Sequence, residues 1–587
     1  MSRCMYRCGL ILLIAVGLAP CWLPQRAIAA EAASGDASDG VAVATLTSES
    51  PRAPATPVDA MAAARRLDEL LANEWKAAAG APAVASASDA VFVRRASFDL
   101  IGELPTPDEI TLFLLDKSPD KRAKLVERLL GNSRYGLNWG RYWRDVILAR
   151  RSDERALFAA ESLTTYLADA FNNSTPWNQV ATDFITAKGN LGEDGRTALL
   201  ASQWGEIPET AAEVARILMG VQIQCAQCHD HPTDRWKREQ FHELAAFFPR
   251  IGVRPVRADG QRRGFELTAR EEAPPIAKIR PAKLGKAAKR FEHYMPDLND
   301  PAAEGTLMQP VFFVTGQQLP VGEPDSRRRE TVAAWITAPE NPWFARAVVN
   351  RYWAELVGMG MYEPIDDLGP DRQCTAPETL DYLGSQFIAH NYDIKWLVRT
   401  IASTSIYGRE SKPRPTADEV PACGCPQPLR ADQLFNSLTQ ALGLDGIEPL
   451  REERGGPGGP PGDPRRAMRT PRAQFQQVFG FDPSEPRDEI SGGVSQALLL
   501  MNSPALARGM SLDAAGRSAS PLAKLLADAG GDEEVFVELY LRCLGREPHA
   551  DELAVCRRHV VRVKDRREAY EDILWALVNS TEFLYRD

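Results

Sequence analysis

Long apolar runs are nearly missing from this sequence of 587 residues. Past residue 30 nothing approaches the roughly 18 consecutive apolar residues of a membrane-crossing helix, so no span is expected in the mature chain. A positive balance is missing too: 69 Lys and Arg face 79 Asp and Glu, for a net charge of −10. That balance favours solubility and argues against nucleic acid as a partner. Cysteine is held to ten and histidine to seven, too sparse in so long a chain for a disulfide scaffold. Common catalytic signatures are also absent: no GxSxG elbow, P-loop, GxGxxG or HExxH occurs. There is no repeat of fixed period. What remains is an ordinary globular composition, 44% apolar and 25% charged, in a chain too long for one core.

The one apolar run stands at the start. In "MSRCMYRCGLILLIAVGLAPCWLPQRAIAA", Arg3 and Arg7 precede a short apolar stretch, Gly9 to Ala19, and the small-residue site Ala27-Ile28-Ala29 follows. These are the three parts of a secretory signal peptide. Pro20 and Pro24 interrupt the segment and disfavour an uncleaved anchor, and Pro20 makes Cys21 a poor lipoprotein site. An exported protein, periplasmic or secreted, is therefore expected. Cleavage would leave Cys225, Cys228, Cys374, Cys423, Cys425, Cys543 and Cys556. The pairing of the last five is open, and an odd number leaves at least one unpaired within the chain.

The expected organisation is a signal peptide at 1–29, a flexible Ala/Ser/Pro/Thr leader at 30–57, and a helical domain at 58–250. A basic, Pro-containing connector with one short strand, "QPVFFVTG", spans 251–324, and a second helical domain spans 325–587. Disordered loops are expected near 409–428 and 450–472, where Pro and Gly collect. The fold class is mainly α, with two or more helical domains, long irregular loops and little β. Thr106, Pro107 and Glu109 spell a capping box, with Leu112, Phe113 and Leu115 as the apolar side of that helix. Arg250 to Arg290 carries twelve basic and four acidic residues without periodicity, and reads as a solvated irregular loop or an anion-docking surface. Arg327-Arg328-Arg329-Glu330 and Asp366-Asp367 read as exposed charge at helix ends.

Chemistry concentrates at Cys225-Ala226-Gln227-Cys228-His229. This is the pattern on which haem c is hung: two thiols add to the vinyl groups and the histidine becomes the proximal iron ligand. At this composition a chance match is expected about 0.002 times per chain. Two alternatives remain open. One is a non-haem metal site, zinc-like and hydrolase-type, on Cys225, Cys228, His229 and His231. The other is a non-catalytic exported scaffold with a Cys225–Cys228 disulfide. Candidate distal ligands are Met295, Met308, His242 and His293, and Trp236, Phe241, Phe247 and Phe248 are either core or the wall of a porphyrin pocket.

The run "ARILMGVQIQCAQCHDHPTDRWKREQFHELAAFF", with "FVRRASFDLIGELPTPDEITLFL" and "RYGLNWGRYWRDVILARRSDE", resembles the planctomycete secreted cytochrome-type domain. "RRRETVAAWITAPENPWFARAVVNRYWAELVGMGM" and "PETLDYLGSQFIAHNYDIKWLVRTIASTSIYGRES" resemble the planctomycete-specific domain that follows it. The resemblance covers about residues 60–587 and implies an exported protein with haem on Cys225, Cys228 and His229. By family context, its partner would be an extracytoplasmic redox protein or an oxidative enzyme, one acting on polysaccharide among them. Two departures stand out. Glu355-Leu356 and Cys374-Thr375 occupy positions where such domains often carry histidine.

Overall fold

The computed structural model describes residues 56–77, 84–258, 261–272, 291–300, 302–414, 423–444, 471–486, 492–511 and 520–587. The expected signal peptide, nearly all of the expected leader, and most of the expected 450–472 loop lie outside the described residues. Mainly α architecture is what the described residues show. Helix α1 (Ala60–Ala77) buries Ala64, Leu67, Leu70 and Leu71 along one stripe, while Met61 falls outside it. Helix α2 (Asp89–Ile101) starts on a Ser88 cap and stops at Gly102 in the left-handed region. The expected capping box of α3 (Pro107–Leu115) is formed in both directions by Thr106 and Glu109. Its buried side differs from expectation: Ile110 and Phe113 face inward, whereas Leu112 and Leu115 are exposed. Helix α4 (Lys121–Leu130) ends at Gly131.

Helix α5 (Ser133–Leu148) holds the densest packing. Its Gly136 and Gly140, one turn apart, lie against the Ala168 and Thr164 carbonyls of α6 (Ala160–Asn172), where a β-carbon would collide. Absent side chains let the two helix backbones approach. On its other side α5 sends Trp139, Tyr142 and Trp143 into the core, all fully buried.

After α6 the chain crosses to α7 (Ile207–Met219), then α8 (Arg238–Ala245). The basic stretch that follows is not irregular throughout. Strands β2 (Ile251–Ala258) and β3 (Gln261–Ala269) form an antiparallel hairpin with a bulge after Val256, and β1 (Gly189–Asn190) adds to its edge. Its inward residues Ile251, Phe265 and Leu267 are few and separated by charge, so the alternation is hidden. Residues 273–290 lie outside the described residues. Val311–Phe312 pairs with Gln317–Gln318, inside and just beyond the expected strand.

Helices α9 (Asp325–Ile336) and α10 (Pro342–Val357) pack into the same core as α1 to α8. One continuous apolar cluster runs from Ala60 to Tyr407. Tyr352 of α10 stacks on Trp139 at 4.3 Å between ring centroids and accepts a 3.1 Å hydrogen bond from the Trp143 indole. A second cluster gathers α11 (Ala431–Ala441), α12 (Asp532–Leu544), α13 (Arg566–Val578) and Phe98. Part of the expected 409–428 loop is ordered, since Gln427–Pro428 pairs with Tyr585–Arg586. That pairing places Arg586 on buried Asp99, and Tyr407 adds its hydroxyl at 2.7 Å.

The expectation of solvated charge fails at two places. Arg328 and Arg329 are 0% and 1% exposed. Arg328 bonds the Ala246 carbonyl at 2.8 Å and Glu292 at 2.6 Å; Arg329 bonds Asp325 at 2.8 Å and the Ile185 carbonyl at 2.7 Å. Asp366 and Asp367 are buried as well. Asp366 meets Arg216 of α7 at 2.7 Å, Arg351 of α10 at 3.6 Å and Arg150 at 3.9 Å. Burial alone would raise its pKa; the three arginines outweigh burial and hold it at about 2. Asp366→Asn keeps the bulk but removes the carboxylate facing buried Arg351 and one of the two carboxylates on buried Arg216, the other being Glu213. A loss of about 3–5 kcal/mol is expected in urea unfolding; a loss below about 1 kcal/mol would remove Asp366 from this structural role.

Candidate functional site

Helix α7 stops at Gly220, in the left-handed region with φ 64°. Its carbonyl accepts from the Leu368 amide at 2.6 Å, and a β-carbon there would press on the Leu368 side chain. From this fixed point the chain advances by alternation. Val221, Ile223 and Ala226 are buried, Gln222 turns to Asp366 at 2.8 Å, and Cys225 and Cys228 are exposed. Residues Gln224–Gln227 make one 3-10 turn, closed by the Ala226 amide on the Ile223 carbonyl at 2.9 Å. Apolar anchors thus hold the turn from below while both thiols face solvent. Each thiol is free, so the disulfide of the scaffold alternative is not formed.

The next residues pin the loop to α8. Asp230 takes Lys237 at 2.8 Å and the Arg238 amide at 3.2 Å, and the His231 amide bonds the Trp236 carbonyl at 2.8 Å. The partners assign the imidazole tautomers. His229 Nδ1 lies 2.7 Å from the Asp230 carbonyl, which can only accept, so Nδ1 carries the hydrogen and Nε2 keeps its lone pair. His231 Nδ1 accepts from the Thr233 amide at 3.3 Å, which places the hydrogen of the neutral ring on Nε2.

This donor set matches covalent attachment of a c-type haem: free exposed thiols two residues apart, followed by an exposed imidazole with Nε2 available. A carbonyl partner on the other ring nitrogen is the usual support for a ligating histidine. The zinc alternative fares differently. Among the described residues no three His, Cys, Asp or Glu gather into a group able to hold a metal ion, and His231 has its Nδ1 lone pair engaged.

Of the expected distal candidates, His242 and His293 have their side chains engaged elsewhere. His242 Nδ1 lies 2.8 Å from His293 Nε2, and His242 Nε2 lies 3.0 Å from the Gln227 carbonyl. Met308 is buried with its amide on the His293 carbonyl at 2.9 Å, and Met295 sits in a two-residue strand paired with Thr306–Leu307. Trp236, Phe241, Phe247 and Phe248 are core residues, Trp236 packing edge-on against Phe313 at 5.1 Å. They do not wall an open pocket.

Sequence reasoning missed the floor of the site. Asp366, Leu368 and Gly369 come from far along the chain, and a β-carbon at Gly369 would collide with Asp234 of the loop. Asp367 pairs with Arg372 at 2.6 Å beside them. No local pattern marks these residues as neighbours of the motif. Glu355, one of the two expected departures, is buried and bonds Arg430 at 2.5 Å.

Residues 66–252 match the family model described as PSCyt2, protein of unknown function (DUF1549), and residues 328–560 match PSD1, protein of unknown function (DUF1553). The chain carries both domains. No curated protein and no solved structure matches it. The DUF1549 match contains the whole cysteine motif, and the DUF1553 match contains Asp366 and Gly369, so the site's floor belongs to the second domain.

Burial, with His242 alongside, pushes His293 down to about 3. An unfolded histidine titrates near 6.5, so between these values the unfolded chain binds the extra proton. Stability from this group is therefore present above about pH 6.5 and declines as pH falls toward 3. Urea midpoints are expected to drop between pH 7 and 5, and His293→Gln should flatten that drop. An equally steep drop in the variant would assign the proton uptake to other groups.

Proposed function

We propose that the chain is an exported, c-type cytochrome-like electron-transfer protein with one haem attached through Cys225 and Cys228 and ligated by His229. The observation that carries this reading is the arrangement of the motif itself. Both thiols are free and exposed on one anchored turn, and the Asp230 carbonyl leaves His229 Nε2 as the ligating atom. The bound group would supply one-electron chemistry. The protein's own residues do the rest. Val221, Ile223 and Ala226 root the turn in the core, Gln222 ties its entry to Asp366, and Lys237 and Arg238 hold its exit through Asp230. An exposed loop on a rigid base suits exchange with a docking redox protein or an oxidative enzyme outside the cytoplasm.

Expression with export in a host that matures c-type cytochromes tests this directly. The wild-type chain is expected to give a haem-stained band on a denaturing gel, because thioether links survive unfolding. Cys225→Ala/Cys228→Ala should lose the band, and His229→Ala should shift the Soret maximum. A wild-type band no stronger than that of the double-cysteine variant would end the proposal.

A further inference from the structure

Two buried histidines have no part in the chemistry just proposed, yet they touch its loop. His242 on α8 and His293, inside the 251–324 stretch, are 1% and 7% exposed. Their rings stack at 5.1 Å with 21° between planes. The bond directions can be worked out from one end. The Gln227 carbonyl only accepts, so His242 Nε2, at 3.0 Å, donates to it. Neutral His242 then offers a bare Nδ1, and His293 Nε2, at 2.8 Å, must donate. Burial disfavours the charged form of both rings. The result is a chain of hydrogen bonds with one direction, ending on the residue between Ala226 and Cys228.

The far end of this chain is anchored. Glu292, next to His293, takes buried Arg250 at 2.9 Å and buried Arg328 at 2.6 Å. The Met308 amide holds the His293 carbonyl at 2.9 Å. Arg238 adds a parallel tie, reaching the Pro296 carbonyl at 2.5 Å while its Nε lies 3.4 Å from the Gln227 carbonyl. The geometry points to His242 and His293 as positioning residues for the cysteine motif: His293 fixes the tautomer of His242, and His242 fixes the Gln227 carbonyl and with it the orientation of the flanking thiols. They act on the attachment side of the loop, not as ligands on an opposite face. The purpose assigned to this orientation rests on the haem-attachment reading; the hydrogen-bond chain itself does not.

The test uses the full chain prepared without haem maturation, labelled with ¹⁵N-histidine. Nitrogen shifts should show His242 and His293 neutral at pH 7, each with its hydrogen on Nε2. Phenylarsine oxide, which must bridge two thiols at once, then probes their orientation at Cys225 and Cys228. His242→Phe and His293→Phe should each weaken its binding by roughly 2- to 10-fold, the equilibrium factor for one ordinary hydrogen bond. The double variant should be no weaker than the singles, and His293→Gln, which keeps a donor, should recover most of the loss. Alkylation of the single thiols should not change, since both are exposed already.

His242 with its hydrogen on Nδ1 would overturn the proposal, and so would unchanged arsenical binding in both Phe variants or additive losses in the double. Should the Phe variants fail to fold, the wild-type tautomers and the His293→Gln binding decide. Wild-type chain that shows the tautomers and variant pattern but never acquires haem retains the positioning pair and loses the haem reading. Haem attachment with unchanged arsenical binding gives the reverse result.

Discussion

One buried carboxylate ties this structure together. Asp366 is 1% exposed and gathers Arg216, Arg351, Arg150 and Gln222 around itself. A lone charge in such surroundings would be driven to neutrality, and a lone arginine would be more costly still. Mutual compensation allows Asp366, Arg216 and Arg351 to be buried together, but only if α7, α10 and the approach to the cysteine motif come together in one arrangement. The same logic recurs where Glu292 joins Arg250 and Arg328, and where Asp99 joins Arg586 and Tyr407. Each cluster takes its members from distant parts of the chain, so apolar burial supplies the driving force and these clusters select the pairing.

The site inherits its order from that arrangement. Its turn is rooted by Val221, Ile223 and Ala226, braced by Gln222 below and by Asp230 beside α8. Two histidines two residues apart then adopt opposite tautomers because their Nδ1 partners differ, a carbonyl for His229 and an amide for His231. Backbone hydrogen bonding thereby separates a ligand-ready ring from a structural one within five residues of loop.

What could be read from the sequence was what is encoded locally. The Thr106–Glu109 box, the helical pattern from residue 58 onward and the spacing of the cysteine motif depend on residues a few positions apart; the structure forms the box and the helix, and sets the two cysteines on one turn. What could not be read depends on distant partners. Arg328, Arg329 and Asp366 look like surface charge until Glu292, Asp325 and Arg216 arrive. The β2–β3 hairpin carries Arg254 and Arg257 on exposed positions and Ile251, Phe265 and Leu267 inward, which hides its period. His242 and His293 were legible as notable residues, but nothing in the sequence between them, a separation of 51 positions, announces that they meet.

The stack of Trp139 and Tyr352 has a bearing on inheritance. These rings come one from each family-matched segment, and their contact lies inside a core that does not divide between the segments. Apart, the first segment would lose the cover that Tyr352 gives Trp139 and Trp143, and the second would leave Tyr352 without both partners. The two segments share one core, although each is recognisable as a separate sequence unit. Solvent exclusion alone is reason enough for a gene to keep the two together and in register, so their pairing in one chain requires no joint activity to explain it.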